Sequence, residues 1–427
     1  MSQSQKWICA QLGGREHYAV PRALHGAGAL GELLTDYWAG PGTRALAQVF
    51  SGPAGRSLAA RYHPALASAR VKSWNLQTLI GEARRRRIGA VDVAGRYHGY
   101  CDIGKGFAEG LVRHWRAQAE MPKPGVFFGY DTASLEAMEY LKARGWACIV
   151  DQIDPCRVEA EIVQAEQRTW PGWEAQALAI PEEFFERHLQ EWTVADRVVV
   201  NSEWSRQALM QQGVPPEKLV VIPLAYEAIT ETLKPEMLKP EILKAEILKA
   251  EMPLRVLFLG QVMLRKGIQY LVEAARLLEH DPVRFEIVGP IHISEKAVAS
   301  VPPNVVFHGR ATRDQIHDWY QGAHVFVLPT LSDGFALTQI EAMANGLPVI
   351  ATPNCGEVVT DGVDGFIVPP RDPVALARAI RRYLTEPELL IRQRAAAREK
   401  VKQFSLAKLT ERLMQLEAEL VGKKLKS

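Results

Sequence analysis

Cysteine is scarce in this sequence, and a strong net charge is absent. The five cysteines contain no Cys-x-x-Cys pair and are odd in number, at Cys9, Cys101, Cys148, Cys156 and Cys355. This usage argues against a disulfide framework, so we expect reduced, buried thiols in a cytosolic protein. The formal net charge of +2 gives no broad attraction to nucleic acid, and no nucleic-acid partner is expected.

Long apolar runs are absent as well. No run approaches the roughly 18 residues of a membrane-spanning helix. The first residues, Met-Ser-Gln-Ser-Gln-Lys, lack the apolar core of a signal peptide, so we expect a cytoplasmic protein. A length of 427 residues and a hydrophobic content of 47% are typical of a globular chain with two or three domains.

Residues 325–350 combine a strand, a glycine turn and a helix that carries a carboxylate. The pattern predicts a buried parallel strand at Val325–Leu328, a turn at 332–334, a helix over Phe335–Asn345 and a strand at Val349–Ile350. Backbone N–H groups at a helix start have no intrahelical partner, so the residues after Gly334 are suited to hold phosphate oxygens. Asp333 and Glu341 add two acceptors for sugar hydroxyls. An ordinary βαβ crossover with a capping Asp and a solvated Glu is the alternative.

A second strand and loop of this kind lie upstream. Val256–Leu259 is predicted to form a strand that ends at Gly260, and a helix is expected to start near Gly267. Arg265 and Lys266 then occupy the loop at the carboxyl end of the strand. Ligands bind at such ends in open α/β sheets, and a lysine there acts as a point charge on phosphate. A solvated Lys-Gly turn is the alternative.

Together these segments resemble the donor domain of glycosyltransferase family 4, the group 1 glycosyl transferases. The motifs in chain order are Gly-Gln-x4-Lys-Gly after a strand (256–267), 305–310, 328–350, 361–370 and Phe404-Ser405. The resemblance is strong over residues 253–410 and weaker upstream, at 195–206 and 215–223.

The resemblance implies a GT-B fold, an α/β architecture of two Rossmann-like domains whose parallel sheets face a central cleft. The expected parts are an acceptor-binding domain (1–226), a linker (227–252), a nucleotide-sugar donor domain (253–410) and a C-terminal helix that crosses back to the first domain (411–427). The implied reaction moves a sugar from a nucleoside-diphosphate sugar to a hydroxyl acceptor with retained anomeric configuration. No metal and no organic cofactor are expected. The acceptor, whether a saccharide, a lipid-linked or a small molecule, is left open.

The resemblance also assigns roles to residues of the donor domain. Lys266 and Arg265 would neutralise the diphosphate, Asp333 would meet the donor sugar, and Glu341 would bind the ribose hydroxyls. The amides that would cap the distal phosphate follow Gly334, at Phe335, Ala336 and Leu337. The other donor-binding positions are Gly260 and Gln261 at the strand end, with His308 and Arg310 near the base.

This chain departs from the family pattern in three places. Asp333 stands where the family usually has Glu, which leaves the donor sugar open. Gln261 stands where Arg is common, and Arg265 would supply the second positive charge. The acceptor-domain histidine is not evident in the stretch 148–156, where Asp151 or Asp154 would take over its polar role.

The first strand of the chain runs into a loop that also resembles the family, with a helix containing Pro21 after it. Gly13 and Gly14 allow a close backbone approach to a phosphate or sugar, and His17 follows them. A structural Gly-Gly turn is the alternative. For His17, packing within a helix is the interpretation we favour over catalysis.

Other features of the sequence carry weaker implications. The block Arg84–Arg87 reads as a solvated helix end, and contact with an acidic membrane surface at the inner face of the membrane is the alternative. A five-residue repeat over 233–252 matches neither helix nor strand periodicity and is interpreted as a tolerated linker insertion. Trp170, Trp173 and Trp192 are interpreted as core residues, with an acceptor-facing role as the alternative.

Two other kinds of function remain open from the sequence. One is a different enzyme on the same architecture, either a nucleotide-sugar epimerase or a glycan phosphorylase that would need a pyridoxal-phosphate lysine. The other is a nucleotide-sugar binding protein without turnover, which Gln261 and the missing histidine make conceivable.

Overall fold

The computed structural model of the protein describes residues 6–40, 61–88, 92–120, 123–227 and 253–424, with backbone alone at residues 82–88, 313 and 421–424. Its strands form two sheets in which all neighbouring strands run parallel. The predicted α/β class follows from the sequence pattern because apolar strand runs alternate with amphipathic helices along the chain.

The first sheet contains seven strands. They are β1 (Trp7–Gln11), β2 (Leu30–Thr35), β3 (Val71–Ser73), β4 (Val126–Tyr130), β5 (Ala147–Gln152), β6 (Arg197–Val200) and β7 (Leu219–Val221), in the spatial order β3-β2-β1-β4-β5-β6-β7. The helices connecting them are α1 (Ala19–Gly26), α2 (Asn75–Ile88), α3 (Val93–Arg116), α4 (Leu135–Lys142), α5 (Arg157–Thr169), α6 (Glu182–Val194) and α7 (Glu203–Gln211).

The second sheet contains six strands. They are β8 (Leu254–Leu259), β9 (Val283–Val288), β10 (Val305–Gly309), β11 (Val325–Leu328), β12 (Val349–Ala351) and β13 (Gly365–Ile367), in the order β10-β9-β8-β11-β12-β13. Its helices are α8 (Ile268–Leu277), α9 (Glu295–Ala299), α10 (Arg313–Gly322), α11 (Leu337–Ala344), α12 (Pro373–Thr385) and α13 (Pro387–Val401).

The central strands are buried on both faces, which explains their continuous apolar sequence. Every residue of β11 is buried, and Val256, Leu257 and Phe258 of β8 are fully inaccessible to solvent. Helices cover both faces of a parallel sheet, so alternation of polar and apolar residues is lost. The strand predictions at 256–259 and 325–328 are confirmed, with β8 starting two residues earlier.

The last helix, α14 (Leu406–Lys424), follows the second domain but packs on the first. Its buried leucines are spaced four, three and four residues apart, at Leu409, Leu413, Leu416 and Leu420. This spacing places them on one face of a helix, and they belong to the same buried cluster as Trp7 and Leu24.

The structure also bears on the predictions for the cysteines, the tryptophans and a membrane-spanning helix. All five cysteines are buried, and none of them forms a disulfide within the described part of the chain, as predicted. None of the described helices is both long and apolar enough to cross a membrane. The repeat at 233–252 lies outside the described residues, and Arg84–Arg87 are described only as backbone of α2. Trp192 is a core residue, whereas Trp170 and Trp173 are only half-buried.

Candidate functional site

Two loops of the second domain are joined at the carboxyl ends of β8 and β11. Gly267 has a φ of +73°, and a Cβ there would lie 1.8 Å from the carbonyl oxygen of Pro329. The carbonyl of Arg265 accepts hydrogen bonds from the Leu331 amide (2.9 Å) and from Oγ1 of Thr330 (3.2 Å). Gly267 therefore fits because no side chain can stand between the loops.

Lys266 and Asp333 meet at this junction. The Lys266 ammonium forms an ion pair with Oδ2 of Asp333, and the Phe335 amide donates to Oδ1 at 3.4 Å. Burial favours a higher pKa for Asp333, but the charges of Lys266 and Arg265 outweigh it and leave the pKa below its ordinary value. An anion is thus stabilised at the point where the ammonium and the amide converge.

The helix after Gly334 begins later than predicted, at Leu337 instead of Phe335. Ala336 precedes it with a φ of +61°, because the chain must first turn to bury Phe335. The Phe335 ring packs so closely on Gly356 that a Cβ there would lie 2.3 Å from it. Ala336 and Leu337 still lie at the amino end of α11, which is the positive end of its dipole.

Glu341 lies further along α11 and is half-buried. Its Oε2 accepts a hydrogen bond from the Tyr320 hydroxyl at 2.8 Å. Burial and the charge of Glu341 raise the pKa of Tyr320 well above its ordinary value, so this phenol stays protonated as the donor.

Three glycines meet at the carboxyl ends of β8, β9 and β10. The Gly289 amide donates to the Gly309 carbonyl at 2.8 Å, and a Cβ on Gly289 would lie 1.8 Å from the Gly260 carbonyl. Gln261 follows Gly260 and is exposed, as is Arg310. Glycine at position 289 therefore lets the ends of these strands lie close together, with the Gln261 and Arg310 side chains exposed beside them.

His308 is held by its own domain. Its Nε2 lies 2.5 Å from Oε2 of Glu286, and its ring packs at 4.3 Å from that of Trp319. The structure thus brings Gly260, Gln261 and Lys266 to one edge, while the His308 imidazole is engaged on the neighbouring strand β9.

The first domain contacts this site directly through Glu159 of α5. Oε2 of Glu159 accepts from Arg265 Nη1 (3.1 Å) and from the Ser332 hydroxyl (2.9 Å). Burial raises the pKa of Glu159 to about 7 against the opposing charge of Arg265. Gly334 also touches the first domain, because a Cβ on it would lie 1.9 Å from the Ile153 carbonyl.

A second carboxylate on α5 bridges the two domains. Glu166 is 2% exposed and accepts three hydrogen bonds from the second domain, from Gln269 Nε2 (2.9 Å), the Tyr270 hydroxyl (2.9 Å) and Arg371 Nε (2.6 Å). Glu159 and Glu166 lie seven residues apart, on one face of the helix. Their role was missed in the sequence because nothing in α5 distinguishes these two glutamates from solvated ones.

Asp151 lies in the first sheet, paired with Tyr130 of β4 on one side and with Val199 of β6 on the other. It is buried, and among the described residues its Oδ1 has no hydrogen-bond partner. Burial and the neighbouring charge of Glu16 raise the pKa of Asp151 well above its ordinary value. Burial at the carboxyl end of β5 therefore favours the neutral form of the Asp151 side chain.

Asp154 occupies a more polar position. Its Oδ1 accepts from the Cys156 amide at 2.9 Å and from Gln152 Nε2 at 3.2 Å. Burial nevertheless raises its pKa above the ordinary value. Of the two aspartates considered from sequence, Asp154 follows Ile153, which contacts Gly334, and thus lies beside the donor-domain turn.

Asp131 and His188 form a pair that sequence reasoning missed. Oδ1 of Asp131 lies 2.9 Å from Arg15 Nη1, and Oδ2 lies 3.8 Å from His188 Nε2. Burial favours a lower pKa for His188, but Asp131 outweighs it and raises the pKa to about 9. Asp131 directly follows the buried strand β4, and that position was the available signal. His188, in the middle of α6, had none.

The glycine loop after β1 is anchored to β2. Gly13 has a φ of +76° and its amide donates to Oδ1 of Asp36 at 2.8 Å. Gly14 precedes a turn in which Glu16 and His17 both have positive φ. The interpretation of His17 as a packed helix residue is wrong, because His17 lies in this left-handed turn and is exposed.

The second domain matches a known family. Residues 253–386 match the family described as Glycosyl transferases group 1. The resemblance drawn from the motifs is thereby confirmed for this domain.

Curated relatives align with this chain over only part of their own length. The D-inositol 3-phosphate glycosyltransferase of Streptomyces griseus is 36% identical over 159 residues, which are 33% of this chain and 34% of that protein. Its namesake from Streptomyces bingchenggensis is 29% identical over 229 residues, 49% of this chain and 50% of that one. The chain thus spans between a third and a half of these relatives.

Solved structures match across both domains. Sucrose-phosphate synthase from Thermosynechococcus elongatus has a TM-score of 0.62 at 19% identity, covering 98% of this chain and 100% of that one. Anabaena HepE in complex with UDP and glucose has a TM-score of 0.57 at 14% identity, covering 97% and 100%. The expected GT-B fold is confirmed.

Proposed function

We propose that this protein is a glycosyltransferase that moves a sugar from a nucleoside-diphosphate sugar to a hydroxyl acceptor. The observation that carries the proposal is the convergence of the Lys266 ammonium and the Phe335 amide on one carboxylate of Asp333. A site that stabilises one half-buried carboxylate in this way is suited to hold a phosphate oxygen.

The donor class is supported by the fold and its neighbours. Anabaena HepE, which shares the fold, was crystallised with UDP and with UDP-glucose. A UDP-sugar is therefore the first donor to test, bound at the strand ends near Gly260 and Gln261, with Glu341 as acceptor for the ribose hydroxyls. Asp333 would contact the donor sugar once Lys266 turns to the diphosphate.

The proposed chemistry follows from charge. As the bond between the sugar C1 and the nucleotide oxygen breaks, negative charge grows on the diphosphate. Lys266, Arg265 and the amino end of α11 stabilise that charge, which accelerates the step because they bind the transition state better than the ground state. These groups require no metal, and a departing phosphate that takes the acceptor proton on the same face retains the anomeric configuration.

The ion pairs observed at the site bear on donor binding. Arg265 is paired with Glu159 and Lys266 with Asp333. A diphosphate must compete with both carboxylates for these cations. We therefore expect each carboxylate to weaken the contribution of the cation with which it is paired.

The test is replacement of Lys266 by Ala, with Lys296→Ala as the matched control. Lys296 is an exposed lysine on α9 of the same domain. We expect Lys266→Ala to lower UDP-sugar turnover about 100- to 1000-fold, while Lys296→Ala leaves it unchanged.

The same measurement separates the alternatives. Turnover of Lys266→Ala near that of the unaltered protein would refute the assignment. Tight UDP binding with no sugar transfer and no donor hydrolysis in the unaltered protein would instead favour a binding protein. An absorbance spectrum with a bound pyridoxal phosphate would favour a phosphorylase.

A further inference from the structure

A cavity of about 460 Å³ lies in the first domain between α2, α3 and the sheet edge. Leu12 and Asp36, which follow β1 and β2, form the end nearest the glycine loop, and Lys72, Arg113 and His114 form another part of its wall. The proposed donor site does not include this cavity, which adjoins Gly13 at the carboxyl edge of the first sheet.

Two aromatic rings give the cavity flat apolar surfaces. Trp74 and Phe107 meet edge to face with their centroids 6.0 Å apart, and the Trp74 ring lies 5.9 Å from that of His114. Aromatic faces of this kind suit the C–H faces of a saccharide ring, because tryptophan and phenylalanine bury large apolar areas at defined geometry.

The wall contributed by α3 is kept open by glycine. Gly106 and Gly110 line the cavity four residues apart, on one face of the helix. A Cβ on Gly106 would meet no atom within 4 Å. Glycine weakens a helix interior, and here its effect is to leave space beside Phe107.

The charges around the cavity favour an anion. The Asp36 carboxylate is already engaged by Arg61 and by the Gly13 amide. Burial, together with the positive charge of Lys72, lowers the pKa of His114, so its imidazole is neutral at pH 7.

Among the described residues, the wall of the cavity carries two cations, Lys72 and Arg113. Within that part of the chain, the ion pair of Arg113 is a long one, to Glu109 at 3.6 Å. The Glu32 carboxylate is also close enough to interact electrostatically with the His114 imidazole. Glu32 is itself paired with Arg70 at 3.0 Å.

We propose that this cavity binds the acceptor, and that the acceptor is a saccharide carrying an anionic group, a phosphate or a carboxylate. The inference rests on the proposed glycosyl transfer. The anionic group lies against Lys72 and Arg113, the ring packs on Trp74 and Phe107, and the accepting hydroxyl emerges beside Gly13.

The first test measures binding of glucose 6-phosphate, glucuronate and glucose by calorimetry. We expect either anionic sugar to bind at least tenfold more tightly than glucose. Lys72→Ala and Arg113→Ala should each reduce that preference. Lys105 is an exposed lysine on α3, the helix that carries Arg113, and Lys105→Ala should keep the preference. Equal binding of all three sugars, or binding of none, would overturn the proposal.

The second test fills the cavity. Gly106→Trp should lower the affinity for the anionic sugar at least tenfold. Gly99→Trp is the matched control. A Cβ at Gly99 also meets no atom within 4 Å, but Gly99 does not line the cavity. Thermal melting checks that both variants fold. Equal loss in both variants would contradict the assignment of the cavity.

UDP binding to the unaltered protein is measured in parallel. If UDP fails to bind while the anionic sugar binds in the cavity, the proposed donor chemistry fails and the anion site stands. If UDP binds and Gly106→Trp has no effect on the anionic sugar, the cavity proposal fails alone.

Discussion

Replacement of Glu166 by Ala is the sharpest test of how the two domains are held together. The change removes a carboxylate that accepts from Gln269, Tyr270 and Arg371. Gln269 is fully buried, so its amide would lose one partner and keep the Leu264 carbonyl at 3.1 Å. Hydrogen bonds to a charged group contribute about 1.5 to 3 kcal/mol each.

The three bonds of Glu166 do not contribute equally. The Arg371 side chain is 42% exposed, so solvent screening reduces its share to about 0 to 1 kcal/mol. The three bonds together give about 3 to 7 kcal/mol. We expect a loss of about 3 to 5 kcal/mol, the range typical for removing one partner of a buried pair. With an unfolding entropy of about 2.1 cal/mol/K per residue, a chain of 427 residues loses about 1 °C per kcal/mol.

The assay is calorimetric thermal unfolding of Glu166→Ala beside Glu161→Ala. Glu161 lies on the same helix and is exposed, so its loss should cost less than about 0.5 kcal/mol. We expect the midpoint of Glu166→Ala to fall by about 3 to 5 °C, and its single transition to broaden as the domains uncouple. Equal midpoints for the two variants would refute the reasoning.

Two further predictions concern Glu159 and Gly267. Because burial raises the folded-state pKa of Glu159 to about 7 from an ordinary 4.5, its stabilising contribution is full below pH 4.5 and is lost as pH rises through 7. The unaltered protein should therefore lose stability relative to Glu159→Gln between those values, and a pH-independent difference in urea unfolding would contradict this. Gly267→Ala should destabilise the protein about 1 to 3 kcal/mol more than Gly362→Ala, since both have positive φ but only Gly267 would meet Pro329. Equal unfolding midpoints would show that the loops can separate.

Much of the donor domain was predictable from local pattern. The strands at 256–259 and 325–328 are apolar runs ended by turn residues, and their carboxyl ends must meet because neighbouring parallel strands align. The convergence of Lys266 on the turn at Asp333 follows from that alignment. The start of α11 was not predictable, because the turn at Ala336 depends on the burial of Phe335 against Gly356.

The first domain was less legible for a physical reason. Asp131, Asp151 and His188 acquire their shifted pKa values from burial and from each other. Burial depends on which helices cover the strand ends, and periodicity within one segment does not report this. His17 was misjudged because three consecutive residues with positive φ break a helix that composition alone would have continued.

The sequence by itself determined the α/β class, the burial of the thiols and the placing of Arg265, Lys266 and Asp333 at strand ends, because these depend on local periodicity and turn chemistry. Only the tertiary structure decided that Glu159 and Glu166 of the first domain reach the second, and that Gly334 adjoins Ile153. Those contacts join residues up to about two hundred positions apart, and their energy depends on desolvation, which exists only once both domains are packed together.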